Sequence, residues 1–232
     1  MNIETKQRLQ KVAAEMVGTF ALVFAGCGAI MVNAQSGVIT HTGVGVVFGA
    51  VVMVMIYATG HISGAHFNPA VTIAFASVQR FSWREVPYYI GGQLVAALGA
   101  AWLLQFLFGS VAELGATFPA GSDLQSLVLE GVLSFFLMFV IAAVATDSRA
   151  EGQMAGLAIG GTVALAAIFG GPISGASMNP ARSLGPALVA GNLTSIWIYL
   201  VGPIMGAVTG AQVYRLVSCS PESENKDASG CC

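Results

Sequence analysis

Charge is what this sequence has least of. Only 9% of its 232 residues are Asp, Glu, Lys or Arg, against about 25% in soluble proteins. Residues 16–79, 86–112, 153–181 and 183–214 contain none at all. With 56% hydrophobic residues and a mean hydropathy of +0.78, a water-soluble domain is excluded. The formal net charge of −2 says nothing useful about partners, and no nucleic-acid partner is expected of so apolar a chain. Cysteine is scarce as well. Cys27 lies in the first apolar run and Cys219, Cys231 and Cys232 lie at the far end, which implies no disulfide framework. The 3 histidines are scattered, and no spaced ligand set accompanies them, so neither a metal nor a cofactor is expected. Paired acids and bases are missing around any plausible site, which argues against an intramembrane enzyme. A cleavable leader is not expected either, because the first eleven residues are polar and Glu15 interrupts the apolar run behind them; the first span should remain.

What is present is long apolar sequence. A bilayer core needs about 20 apolar residues per helix, and full spans are expected at 12–33, 42–59, 87–108, 127–146, 154–169 and 195–217. Two further apolar pieces, 68–78 and 179–189, are half that length and cannot cross alone. The stretches before them, 60–67 and 170–178, are rich in Gly, Ser and Pro. Irregular backbone of that kind is tolerated at membrane depth only where protein or a water-filled cavity covers it.

The basic residues orient the spans. Lys6, Arg8 and Lys11 precede the first span, Arg80 and Arg84 follow the second, Arg149 follows the fourth, and Arg215 and Lys226 follow the last. All fall on one side, which the positive-inside rule makes cytoplasmic, with both termini there. Residues 218–232 then read as a flexible cytoplasmic tail. Arg182 alone belongs to the opposite side, and an isolated intramembrane arginine invites a functional explanation.

The chain also repeats itself. Glu15, Thr19, Phe20, Leu22 and Phe24 match Glu130, Ser134, Phe135, Leu137 and Phe139 in register. Ile62-Ser63-Gly64-Ala65 and Asn68-Pro69-Ala70 match Ile173-Ser174-Gly175-Ala176 and Asn179-Pro180-Ala181. Tyr88, Gly91, Gly99 and Ala100 match Tyr199, Gly202, Gly210 and Ala211. The repeats, 12–108 and 127–217, each hold three full spans, so the second enters the membrane from the opposite face. Inverted repeats of this kind build a site at the bilayer midplane. The fold class expected is therefore an all-α membrane protein, a single transmembrane domain over residues 1–232 with six transmembrane helices and two half-helices.

The repeated tripeptide has readable chemistry. Asn is a favoured N-cap and Pro a favoured first helical residue, so Asn68-Pro69 and Asn179-Pro180 each start a half-helix. With each side-chain carbonyl held by its own helix, the amide NH2 groups point into the lumen as donors. A single Asn-Pro pair is more often an ordinary turn or helix start; two copies in matching inverted halves reverse those odds.

The ten-residue stretches from Ser63 to Thr72 and from Ser174 to Ser183 resemble the two signature loops of the aquaporin family, and the likeness covers nearly the whole chain. It implies the hourglass fold and a homotetramer in the lipid bilayer with one pore per subunit. It also implies a second, extracellular constriction, whose four lining positions fall on Phe48, Ala167, Ala176 and Arg182. Strict water channels typically carry His where Ala167 stands and a larger or polar residue where Ala176 stands. Glycerol facilitators usually have Asp where Ser183 stands, and longer loops. Tyr199, Leu200, Ser183 and Ala187 look more like the nodulin-like plant subgroup and its bacterial relatives. Water and small neutral solutes such as glycerol, urea or metalloid acids are then the expected partners. A water-selective channel, or a structural or adhesive membrane protein with a poorly conducting pore, are the alternatives.

Other residues read more plainly. Glu15 and Glu130 would cost about 3 kcal/mol each at a lipid-facing helix centre, so a structural role holding the irregular loops is expected. His61 and His66 flank the first signature and should cap or pack it rather than gate it by pH. His41 is expected to be inert in an external loop. Gly202, Gly206 and Gly210 should let neighbouring helices approach closely.

Overall fold

The computed structural model describes residues 2–146 and 152–218. Among them are eight helices: α1 (Ile3–Ser36), α2 (Thr40–Ser63), α3 (Pro69–Ser77), α4 (Val86–Phe108), α5 (Asp123–Thr146), α6 (Ala155–Ser174), α7 (Pro180–Ala190) and α8 (Ile198–Val217). Six are long and apolar enough to cross a membrane; α3 and α7 are not among them. Arg149, Lys226 and the expected tail beyond residue 218 lie outside the described residues.

The spans begin and end later or earlier than hydropathy suggests, because a helix does not stop where lipid does. α1 starts at Asn2, whose side chain accepts from Thr5 N at 2.8 Å, and ends at Gly37 with φ 68°, a left-handed C-cap. The largest correction concerns the two stretches expected to be irregular. Helix α2 runs on to Ser63 and α6 to Ser174, the latter straight through Pro172. Only four residues in each place leave the helix. Gly64, Ala65 and Phe67 have φ of 87°, 52° and 52°, and Gly175, Ala176 and Met178 have 86°, 41° and 53°.

Packing pairs the elements across the repeat. α1 lies on α2 and α4, and α5 lies on α6 and α8. Each half-helix docks on the third span of the other half, α3 on α8 and α7 on α4. Backbones come close where glycine permits. A Cβ on Gly202 would stand 3.0 Å from the Leu127 carbonyl oxygen, and one on Gly206 or Gly210 would collide with the carbonyls of Gly131 and Phe135. Gly49 and Gly160 make the same contact between α2 and α6.

The third repeat block needs a shift of one residue. The buried face of α4 carries Tyr89, Gly92, Gln93, Ala96, Ala97, Ala100 and Ala101. That of α8 carries Tyr199, Gly202, Pro203, Gly206, Ala207, Gly210 and Ala211. Tyr199 therefore answers to Tyr89, and Tyr88 instead faces outward under the Arg8 guanidinium, 4.5 Å from its ring centre. Residue identity does not separate Tyr88 from Tyr89, because both fit the apolar pattern; the helix rotation that buries Tyr89 does.

Candidate functional site

Asn68 and Asn179 cap α3 and α7 from extended backbone, φ −154° and −148°. The Asn68 Oδ1 accepts from Ala70 N at 2.8 Å. The Asn179 Oδ1 accepts from Ala181 N at 3.0 Å and Arg182 N at 3.3 Å. Each amide then reaches across the repeat. Asn68 Nδ2 donates to the Met178 carbonyl at 2.7 Å, and Asn179 Nδ2 to the Phe67 carbonyl at 2.9 Å. One hydrogen of each NH2 is thus committed to the opposite loop, and one remains for whatever occupies the cavity between them.

The left-handed turns that aim those carbonyls are costly for residues with side chains, of order 1–3 kcal/mol each, and two buried acids hold them. Glu15 accepts from Ser63 Oγ at 2.7 Å, His66 N at 2.9 Å, Phe67 N at 2.7 Å and Gln93 Nε2 at 2.8 Å. Glu130 accepts from Ser174 Oγ at 2.7 Å, Ser177 N at 2.9 Å and Met178 N at 2.8 Å. Tyr89 and Tyr199 donate their hydroxyls to the Ser63 and Ser174 carbonyls at 2.8 and 2.7 Å. A buried carboxylate surrounded by such donors is satisfied where a lone one would not be.

The asparagines line a cavity of about 410 Å³ that also takes in Phe48, Ala167, Ala176 and Arg182. Arg182 is only 2% exposed. One guanidinium nitrogen donates to the Gly115 carbonyl at 2.8 Å, and the group lies 5.0 Å from the Phe48 ring centre, a cation–π separation. The Phe48 ring rests against Gly26 of α1, and the Phe67 ring against Gly18 two turns earlier; a Cβ at either glycine would collide with the ring. Gly115 closes a turn in which Ala112, Glu113 and Leu114 also have left-handed φ of 47°, 49° and 56°. A residue pattern alone does not mark that turn, since only Gly115 among the four is a residue that prefers it.

His66 is buried, with Nδ1 3.1 Å from Thr72 Oγ1 and its ring packed among Phe75, Phe81 and Tyr89 at 4.9, 4.9 and 5.2 Å. His61 lines the other end of the cavity. His41 is not in a loop: it sits in the first turn of α2, and its Nε2 lies 2.6 Å from the Ile168 carbonyl of α6. Among the described residues, no three His, Cys, Asp or Glu side chains converge as metal ligands would.

The pattern of the major intrinsic protein family matches residues 2–214. The chain belongs to that family. Its relatives include the aquaporin NIP1-1 of Oryza sativa subsp. japonica, 57% identical over 211 residues that make up 90% of this chain and 74% of that protein. Nodulin-26 of Glycine max is 53% identical over 90% of this chain and 78% of its own length. The aquaglyceroporin of Plasmodium falciparum superimposes with a TM-score of 0.83 at 25% identity, covering 90% of this chain and 96% of that one. Major intrinsic proteins are channels rather than enzymes, and the nodulin-like relatives support the subgroup that Ser183, Ala187, Tyr199 and Leu200 suggest.

Proposed function

We propose that this chain conducts water and small uncharged solutes of the glycerol, urea or metalloid-acid type, down their gradients, while opposing protons and ions. The observation that carries this reading is the pair of crossed asparagine amides in a cavity that continues to Arg182 beside two alanines. A water between Asn68 and Asn179 accepts from both and cannot relay a proton in line. The N-termini of α3 and α7 add positive partial charge at the same point, which opposes cations. Farther out, Arg182 is a fixed positive charge at a constriction that Phe48 bounds on another side. Ala167 and Ala176 contribute no hydrogen-bonding side chain and little bulk, so the gate is wide and partly apolar, as a carbon-backed solute requires. The relatives named aquaporin and the aquaglyceroporin fold agree with a pore for both kinds of cargo. In this reading four chains assemble as a homotetramer in the cell membrane, with both termini cytoplasmic.

Osmotic shrinkage of proteoliposomes tests it. Water permeability should rise well above that of empty vesicles, and a glycerol or urea gradient should then dissipate through the same protein. Fast water with complete exclusion of both solutes would leave a water-selective channel, and no gain for water would leave a structural protein.

A further inference from the structure

Helix α6 carries Pro172 inside it. Proline has no N–H, so the carbonyl four residues earlier, that of Ile168, loses its helical donor. The carbonyl is nevertheless paired, by His41 Nε2 at 2.6 Å. Because a carbonyl only accepts, Nε2 carries the proton. Space for the ring comes from Gly171, where an added Cβ would stand 2.8 Å from His41 Cε1. A proline that frees an acceptor, a glycine that admits a ring and an imidazole from the neighbouring helix thus meet within one turn of α6.

The placement of that turn matters. Ile168 adjoins Ala167, and the residues beyond Pro172 lead into the left-handed turn that carries Ala176. His41 stands seven residues before Phe48 on α2, about two helical turns and hence on the same face. The contact therefore adds a polar tie, near the constriction, to the packing of the helix that carries Phe48 on the helix that carries Ala167.

We propose that His41 is a positioning residue for the constriction: by capping the carbonyl that Pro172 releases, it sets the separation of Phe48 from Ala167 and so the solute selectivity of the pore. This rests on the assignment of those two residues to the gate. The full chain, reconstituted in vesicles, is compared as wild type, His41→Ala, His41→Gln, Gly171→Ala, Pro172→Ala and the Pro172→Ala/His41→Ala pair. The readouts are water permeability, the glycerol-to-water ratio and the thermal midpoint. His41→Ala should change the ratio at least threefold, and Gly171→Ala should do the same by displacing the ring. His41→Gln, which keeps a donor, should stay near wild type. In the Pro172→Ala background, where a backbone N–H is returned to Ile168, removing His41 should no longer matter.

An unchanged ratio in both His41→Ala and Gly171→Ala overturns the proposal, as does an equal shift in the Pro172→Ala background. A lowered thermal midpoint with the ratio intact would reduce His41 to a structural brace and also overturns it. Should His41→Ala fail to fold, Gly171→Ala carries the same comparison. If the wild type passes no glycerol, the wide-gate reading fails on its own, and the same variants are judged on water permeability, with the same pattern required.

Discussion

On the buried faces of α4 and α8 equivalent places are held by Gln93 and Pro203, and the polar networks of the two halves differ around them. In the amino-terminal half Gln93 donates to Glu15 at 2.8 Å and to Thr72 Oγ1 at 3.2 Å, and Thr72 also meets His66. The polar network closes on itself. In the carboxyl-terminal half Ser183, the counterpart of Thr72, pairs with Ser177 at 2.6 Å and with Thr117 at 2.7 Å. Thr117 belongs to the connection between α4 and α5, as does Gly115, which holds Arg182. Ala120 N of the same connection donates to the Ile173 carbonyl at 2.9 Å. The second half thus borrows its closure from a segment outside the repeat, and it is this half that carries three of the four proposed gate residues. A common skeleton closes its polar contacts within the repeat in one half and takes on an extra part in the other.

The two acids should matter most. Replacing Glu15 or Glu130 by Ala leaves three or four buried donors unpaired, and either should cost about 3 kcal/mol or more, read as the thermal midpoint in detergent. The Glu15 loss should be at least as large, since four donors are orphaned rather than three; a harmless Glu15→Ala would show that Gln93 can stand in. Next is Gly115→Ala. The new Cβ would stand 2.8 Å from that of Cys27 at a backbone φ of 72°, for about 1–3 kcal/mol. It should loosen solute selectivity through Arg182, an effect with no parallel in the first half. Ala167→His should lower glycerol permeability roughly tenfold or more while water passage is largely kept; an unchanged solute profile would contradict the gate. Gln93→Leu removes two donated hydrogen bonds but also a carboxamide oxygen that lacks a partner, so the net loss should be only about 1 kcal/mol.

The smallest effect lies where α1 meets the start of α4. Side-chain hydrogen bonds from Arg8, the shortest at 2.7 Å, hold the Glu85 carboxyl below the usual carboxylate range. A lowered folded value means stability that is present above the ordinary carboxylate range and lost as acid titrates Glu85 itself. The thermal midpoint of the wild type should fall slightly more on strong acidification than that of Glu85→Gln. The other half has a clasp at the equivalent place, where Asp123 accepts from Ser195 Oγ at 2.9 Å and Trp197 Nε1 at 3.3 Å.

Much of this skeleton is legible in residue order because lipid enforces strict rules. Charge-free runs of full length mark the spans, half-length runs preceded by Gly and Ser mark α3 and α7, and the doubled Asn-Pro pair begins both of those helices. Contacts made by shape rather than composition escape such reading. Tyr88 and Tyr89 are equivalent letters until helix rotation buries one of them. His41 looks idle until Pro172, more than a hundred residues away, is seen to free an acceptor for it. Gln93 sits in an apolar run with nothing nearby in sequence to say which acid it serves. The three successive left-handed residues before Gly115 have no side-chain signature, since Ala, Glu and Leu adopt that conformation only when neighbours compel it.

The crossed amides carry a consequence for biosynthesis. When the ribosome has delivered the first three spans to the membrane, Asn68 has no Met178 carbonyl to grip and the Phe67 carbonyl has no Asn179 to accept from. The midpoint of the passage is completed only once Asn179 has been translated, more than a hundred residues after Phe67. A protein truncated between its halves would therefore hold an unfinished loop in the bilayer, open to water or to quality control, and the second half serves as its folding partner.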